Sequence, residues 1–169
     1  MMDSCLAAKI MYADADAARA AAEAAELDQS TNLLRKAGQM AFNAGNAESR
    51  DGQKSAYYES ALSYYEILCG RSSSSYEDCL NRALVLRALG RYQESNDRLN
   101  EMKEQYPEDY AILMWMCYNY LDEAAVEQNN AEIQGDLSFC YSSCRYLYDR
   151  QNGEDQEMES LIEIMNELE

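Results

Sequence analysis

Tyr58, Ala61, Tyr65 and Leu68 are followed 34 residues later by Tyr92, Ser95, Leu99 and Met102. Both sets step by three, four and three, which places all four members on one face of an α-helix. A face that returns at a fixed period of this length, with room for a second helix in each period, confines the chain to a repeat of paired helices. Each pair has too small an apolar face to fold alone, so neighbouring pairs must stack.

The stretch "LGRYQESNDRLNEMKEQYPEDY" shows how one pair is punctuated. Gly90 can take the left-handed backbone of a tight turn between two helices. Pro107, the chain's only proline, lacks an amide hydrogen and disfavours helix at the residue before it. Helices are therefore predicted over 76–89 and 92–105, with the next beginning near 109. Upstream, Leu33, Leu34, Ala37, Met40, Ala41 and Ala44 mark a helix over 30–45 that Gly45 ends, and a polar loop follows at 46–54. Tyr58, Ala61, Leu62, Tyr65 and Leu68 mark one over 55–69, stopped by Gly70. In "RSSSS" the last serine can cap the helix after it. Downstream come a helix over 109–124, an insertion at about 124–135, and a helix from about 136 to 150 striped by Leu137, Cys140, Tyr141, Cys144, Leu147 and Tyr148. Gly153 reads as a loose join. The last segment puts Met158, Leu161, Ile162, Met165 and Leu168 on one face, as a capping helix needs. Residues 3–27 read as a separate alanine-rich helix.

This pattern resembles the tetratricopeptide repeat (TPR) family, whose repeat is a 34-residue helical hairpin. The likeness rests on Gly90, Tyr92, Ser95, Leu99, Met102 and Pro107, and 76–109 is the best single repeat. It implies an all-α fold of antiparallel helical hairpins stacked as a short right-handed superhelix with a C-terminal capping helix. The expected division is an N-terminal helix at 1–29, repeats at about 30–75, 76–109 and 110–152, and the cap at 153–169. The run from Tyr64 to Tyr110 also looks like the repeat tails fused to some bacterial serine/threonine kinases. None of the kinase motifs is present: no glycine-rich loop, no HRD, no DFG.

The net charge of −17 disfavours nucleic acid and anionic membrane as partners and favours basic ones. No apolar stretch approaches the roughly 20 residues of a membrane span, and the N-terminus does not read as a secretory signal. With no histidine, no catalytic triad or imidazole base is available. Asp14 and Asp16 begin like a calcium loop, but Arg19 and Ala25 stand where its glycine and glutamate belong. Cys140 and Cys144 share a helix face without the two further ligands that zinc needs. Cys69 and Cys79 come near enough in the repeat alignment to bridge, yet reduced core thiols are the expectation for all six cysteines. No enzyme activity, metal or cofactor is expected.

The expected function is that of a non-catalytic protein–protein interaction scaffold. In the TPR family the first helix of each hairpin lines a concave groove for a peptide or partner helix. Carried onto this chain, that implies Glu77, Leu80, Leu84 and Arg87, then Ala111, Met114, Tyr118 and Asp122. The expected partner is a protein or peptide with apolar anchors and basic flanks, bound by a monomer or dimer. Two alternatives stand beside it: the sensor or docking tail of a bacterial kinase, and a structural oligomerisation or spacer element. A stand-alone chain would be cytoplasmic, and the tail of a membrane-anchored kinase extracytoplasmic.

Overall fold

A computed structural model describes residues 31–71, 74–127, 130–151 and 153–168, together with Arg19. The predicted helix over 3–27 otherwise lies outside the described residues. The chain is all-α, with no strand among the described residues. Seven helices are described: α1 Thr31–Ala47, α2 Asp51–Cys69, α3 Tyr76–Ala88, α4 Tyr92–Gln105, α5 Tyr110–Val126, α6 Ala131–Arg150 and α7 Gln156–Leu168. They fall into two compact units, 1–90 and 91–169. None of the described helices is long and apolar enough to cross a membrane.

In the first unit α1 packs on α2, and α2 on α3. The α1–α2 pair is antiparallel and held by a small-to-large fit. Buried Gly38 lies under the ring of Tyr65, where an added Cβ would come within 3.0 Å of Cζ, and buried Gly45 lies against Tyr58. Tyr65, Leu62, Ala61, Tyr58 and Leu68 of α2 then meet Leu34 and Ala41 of α1 and Val85 and Leu86 of α3 in one core. Gly45 is thus a packing residue and does not end its helix. The loop expected at 46–54 shrinks to 48–50. The Glu48 carboxylate takes the amides of Ser49 and Arg50, each at 3.0 Å, and the Arg50 guanidinium at 2.8 Å, which closes the turn at once. Those contacts, the Arg50 guanidinium first, hold Glu48 down at a pKa of about 2.

Ser75 caps α3 as expected: its hydroxyl accepts from the Asp78 amide, and Asp78 Oδ2 accepts from the Ser75 amide at 3.1 Å. This reciprocal box satisfies two donors that a helix start leaves open. Asp78 is fully buried and also receives a two-pronged contact from Arg35 of α1, Nε to Oδ1 at 2.7 Å and a terminal nitrogen to Oδ2 at 2.6 Å. The same join corrects the expectation for the thiols. The short turn after α2 sets Cys69 beside the first turn of α3, with 5.4 Å between the Cα atoms of Cys69 and Cys79, and the two form a disulfide. Gly90 closes the unit with φ at +73°, the left-handed turn that the sequence calls for.

In the second unit α5 is the hub, packing against α4, α6 and α7. Its apolar residues go all round, as suits a helix covered on several sides: Ile112, Leu113, Met114, Met116 and Cys117 are all buried. Helix α4 ends at Gln105, just ahead of Tyr106 and Pro107, and Asp109 caps α5 by accepting the Ala111 amide at 2.9 Å. The expected insertion at 124–135 is mostly helix. Helix α5 runs through Val126, and α6 begins at Ala131, where Asn130 accepts the amides of Glu132 and Ile133. Helix α7 buries Met158, Leu161 and Met165. It is tied to α5 by the Tyr110 hydroxyl donating to Asp155 at 3.0 Å and the Tyr118 hydroxyl donating to the Glu157 carbonyl at 2.7 Å.

Candidate functional site: an acidic cleft in the second unit

Helix α4 carries polar groups on two adjoining faces. Ser95 and Asn96 are buried, whereas Gln93, Asp97 and Asn100 are exposed. Buried polar groups must be bonded, and Asn119 of α5, itself fully buried, answers them. Its Nδ2 donates to Ser95 Oγ at 2.8 Å and to Asn96 Oδ1 at 2.7 Å. This three-residue latch fixes α4 against α5 where an ordinary apolar seam would do. Its cost shows at Asn119 Oδ1, which is buried with no hydrogen-bond partner among the described residues.

Above the latch opens a cleft of about 380 Å³. Helix α4 supplies Gln93, Asn96, Asp97 and Asn100, helix α5 Tyr120 and Glu123, and the α5–α6 join and first turns of α6 supply Glu127, Asn130, Glu132, Ile133 and Asp136. Five of these are carboxylates and none is basic. Glu123 is buried and accepts from Gln93 Nε2 at 3.2 Å, and Asn130 Nδ2 donates to Glu127 at 3.1 Å. The field shows in Tyr120, whose phenol is pushed up to about 12 by burial first and then by the charges of Asp136 and Glu123 among its neighbours. The cleft therefore offers fixed acceptors and negative charge, with Tyr120 and Ile133 as its apolar surface. It holds no nucleophile–base pair, and no group of acidic or thiol side chains suited to a metal exists among the described residues.

The groove expected from the family resemblance is distributed differently. Glu77, Leu80, Leu84 and Arg87 stand on α3 in the first unit, Glu77 exposed and the others half-buried. Met114, Tyr118 and Asp122 stand on α5 in the second. Met114 is buried in the core of that unit because α5 is covered on several sides, so it offers a ligand no surface. Tyr118 is half-buried, with its hydroxyl committed to Glu157, and Asp122 and Ala111 are half-buried too. None of these residues lines the cleft. The cleft and its latch carried two signals in the sequence: Gln93, Asn96, Asp97 and Asn100 recur at helical spacing, and Asn119 interrupts the apolar and aromatic run from Tyr110 to Leu121. Both read equally well as a solvated face.

Compared with known proteins, the chain matches no family model, no curated protein and no solved structure.

Proposed function

We propose that the chain is a non-catalytic binding scaffold and that the cleft between α4, α5 and α6 holds a basic, extended segment of a partner protein. The observation that carries this reading is the cleft lining, five carboxylates and four carboxamides with no cation among them. Such a surface accepts hydrogen bonds from lysine and arginine along a peptide, and the half-buried ring of Tyr120 offers contact to one apolar side chain. Carboxylates at the rim chiefly speed encounter and select the charge of the partner, while the buried Glu123 acts at close range. The likeness of the 34-residue pattern to TPR proteins supports the same class of function.

The test is titration of the purified chain with an arginine- and lysine-rich peptide library carrying one central apolar residue, read by calorimetry. Glu123→Gln with Asp136→Asn should weaken the best binder roughly tenfold, about 1.4 kcal/mol, and raising salt should slow association. Equal affinity of the variant, or preference for an acidic peptide, refutes the reading.

The kinase-tail alternative gains one specific support. The Cys69–Cys79 disulfide suits a compartment that oxidises thiols, as the outer face of a membrane-anchored kinase would be. Mapping the transcript upstream of Met1 for a kinase domain and a membrane span tests it, and a stop codon immediately upstream refutes it.

A further inference from the structure

Three thiols meet in the second unit: Cys117 on α5, and Cys140 and Cys144 one turn apart on α6. All three are buried. Cys140 Sγ contacts the Leu113 carbonyl at 3.3 Å, and Cys144 Sγ contacts the Tyr110 carbonyl and the Met158 sulfur at 3.4 and 3.5 Å. The closest of these approaches between two sulfurs is Cys117 Sγ to Cys140 Sγ, at 3.3 Å. A core that needed only small side chains here would be served by alanine or serine, as Ala61 and Ser95 serve elsewhere in the repeat pattern. From the sulfur contact, together with the disulfide already present at Cys69–Cys79, we infer that Cys117 and Cys140 are a second disulfide pair, closed when the chain folds under oxidising conditions.

A disulfide bond is about 2.0 Å long, so closure asks for about 1.3 Å of combined sulfur movement. The chemistry is thiol–disulfide exchange with a low-molecular-weight disulfide, RSSR, as oxidant. One of the two thiols, here Cys140, attacks first. It loses its proton, forms a mixed disulfide with one RS group and releases one RSH. The Cys117 thiol, losing its proton in turn, then attacks the Cys140 sulfur and expels the second RSH. Two protein thiols are oxidised, one RSSR is reduced to two RSH, and both protons end on the released thiols.

Contact with Cys140 and Cys144, together with burial, pushes the Cys117 thiol well above its ordinary pKa. Exchange is correspondingly slow once α5 and α6 are packed. The bond therefore forms before packing is complete and persists afterwards. It lies one turn from Tyr120 on α5 and from Asp136 on α6, so it braces two walls of the acidic cleft. The bond itself does not depend on what the cleft binds.

The full chain is unfolded and refolded over a series of reduced-to-oxidised glutathione ratios, quenched with acid, and alkylated under denaturing conditions. Of the six cysteines, four should alkylate where only the Cys69–Cys79 bridge has closed, and two, Cys5 and Cys144, at the more oxidising ratios. Peptide mapping without reductant should then show a fragment joining Cys117 to Cys140. The C144S variant should still form it, and C117S should not. Four or more alkylated thiols at every ratio overturn the inference, and so does a fragment joining Cys117 to Cys144 or to Cys5.

Discussion

The Arg35–Asp78 contact makes a prediction whose direction depends on which partner is removed. The Asp78 side chain is 0% exposed and the Arg35 side chain 39%. Arg35→Met leaves a carboxylate sealed in the first unit, with the Ser75 amide as its remaining donor among the bonds described above. Stranding a buried charge in this way costs about 3–5 kcal/mol. Asp78→Asn keeps the shape of the cap, and the guanidinium it abandons can turn to water. That change removes charge-assisted bonds worth about 1.5–3 kcal/mol. The double variant should cost less than the sum of the two, with a coupling of about 1–3 kcal/mol. The sign of the pH dependence follows from the same contact. Asp78 is held below its ordinary value of 3.8 by the Arg35 hydrogen bonds, with the Ser75 contacts helping and burial opposing. Its contribution is thus fully present above 3.8 and fades as the pH falls through the lower, folded value. Urea unfolding followed by circular dichroism at pH 7, and again at descending pH below 4, measures both effects. In Arg35→Met the acid-dependent loss should shrink. If Arg35→Met destabilises no more than Asp78→Asn, the carboxylate is not sealed and the reasoning fails.

Three further outcomes follow from the packing. The sequence reading has Gly90→Val costing more than Gly153→Val because it takes Gly153 for a loose join, and the structure adds a packing cost at Gly153. Gly90 needs its positive φ but has open space around it, whereas a Cβ at Gly153 would sit 2.5 Å from Cε2 of buried Tyr148, whose ring is held edge-on against Tyr110 with centroids 5.1 Å apart. Strain at Gly90 costs on the order of 1–3 kcal/mol and overpacking at Gly153 about 1–3 kcal/mol, so both variants should lower the melting midpoint, and an unchanged midpoint for Gly153→Val would show that the join around it is loose after all. Tyr65→Phe should leave stability unchanged or raise it by about 1 kcal/mol, because the Tyr65 hydroxyl is buried with no hydrogen-bond partner among the described residues; a clear loss in urea would show that the hydroxyl is bonded. Cys69→Ser with Cys79→Ser opens a loop with a sequence separation of 10 and should cost about 2–3 kcal/mol by chain entropy, visible as a lower urea midpoint and a smaller shift on adding reductant than the parent chain shows.

What the sequence revealed and what it hid divide along a physical line. Gly90, Pro107 and the Ser75 cap act through the backbone of their own neighbourhood, so their effects were legible residue by residue. Gly45 was misread because glycine carries two meanings. It can stop a helix, or it can let a tyrosine of the next helix come close, and only the position of Tyr58 decides between them. The polar run after Gly45 read as a loop for a related reason: Asp51, Gly52 and Gln53 are the exposed side of the first turn of α2, and an exposed helical turn has the composition of a loop. The repeat alignment brings Cys69 near Cys79 but does not say whether they bond, and the 3.3 Å between the sulfurs of Cys117 and Cys140 is a distance across the fold that spacing along the chain does not contain. The cleft lies furthest from the sequence. Each of its carboxylates is ordinary on its own helix, and nothing in α4, α5 or α6 taken alone distinguishes a binding wall from a solvated face. The Ser95–Asn96–Asn119 latch spends buried polar groups to hold α4 against α5 and leaves one acceptor without a partner among the described residues. An apolar seam of the same shape at those three positions can be as stable or more so. Retaining the polar one is understandable if the placement of α4, and with it the width of the cleft, matters more than the stability it forgoes.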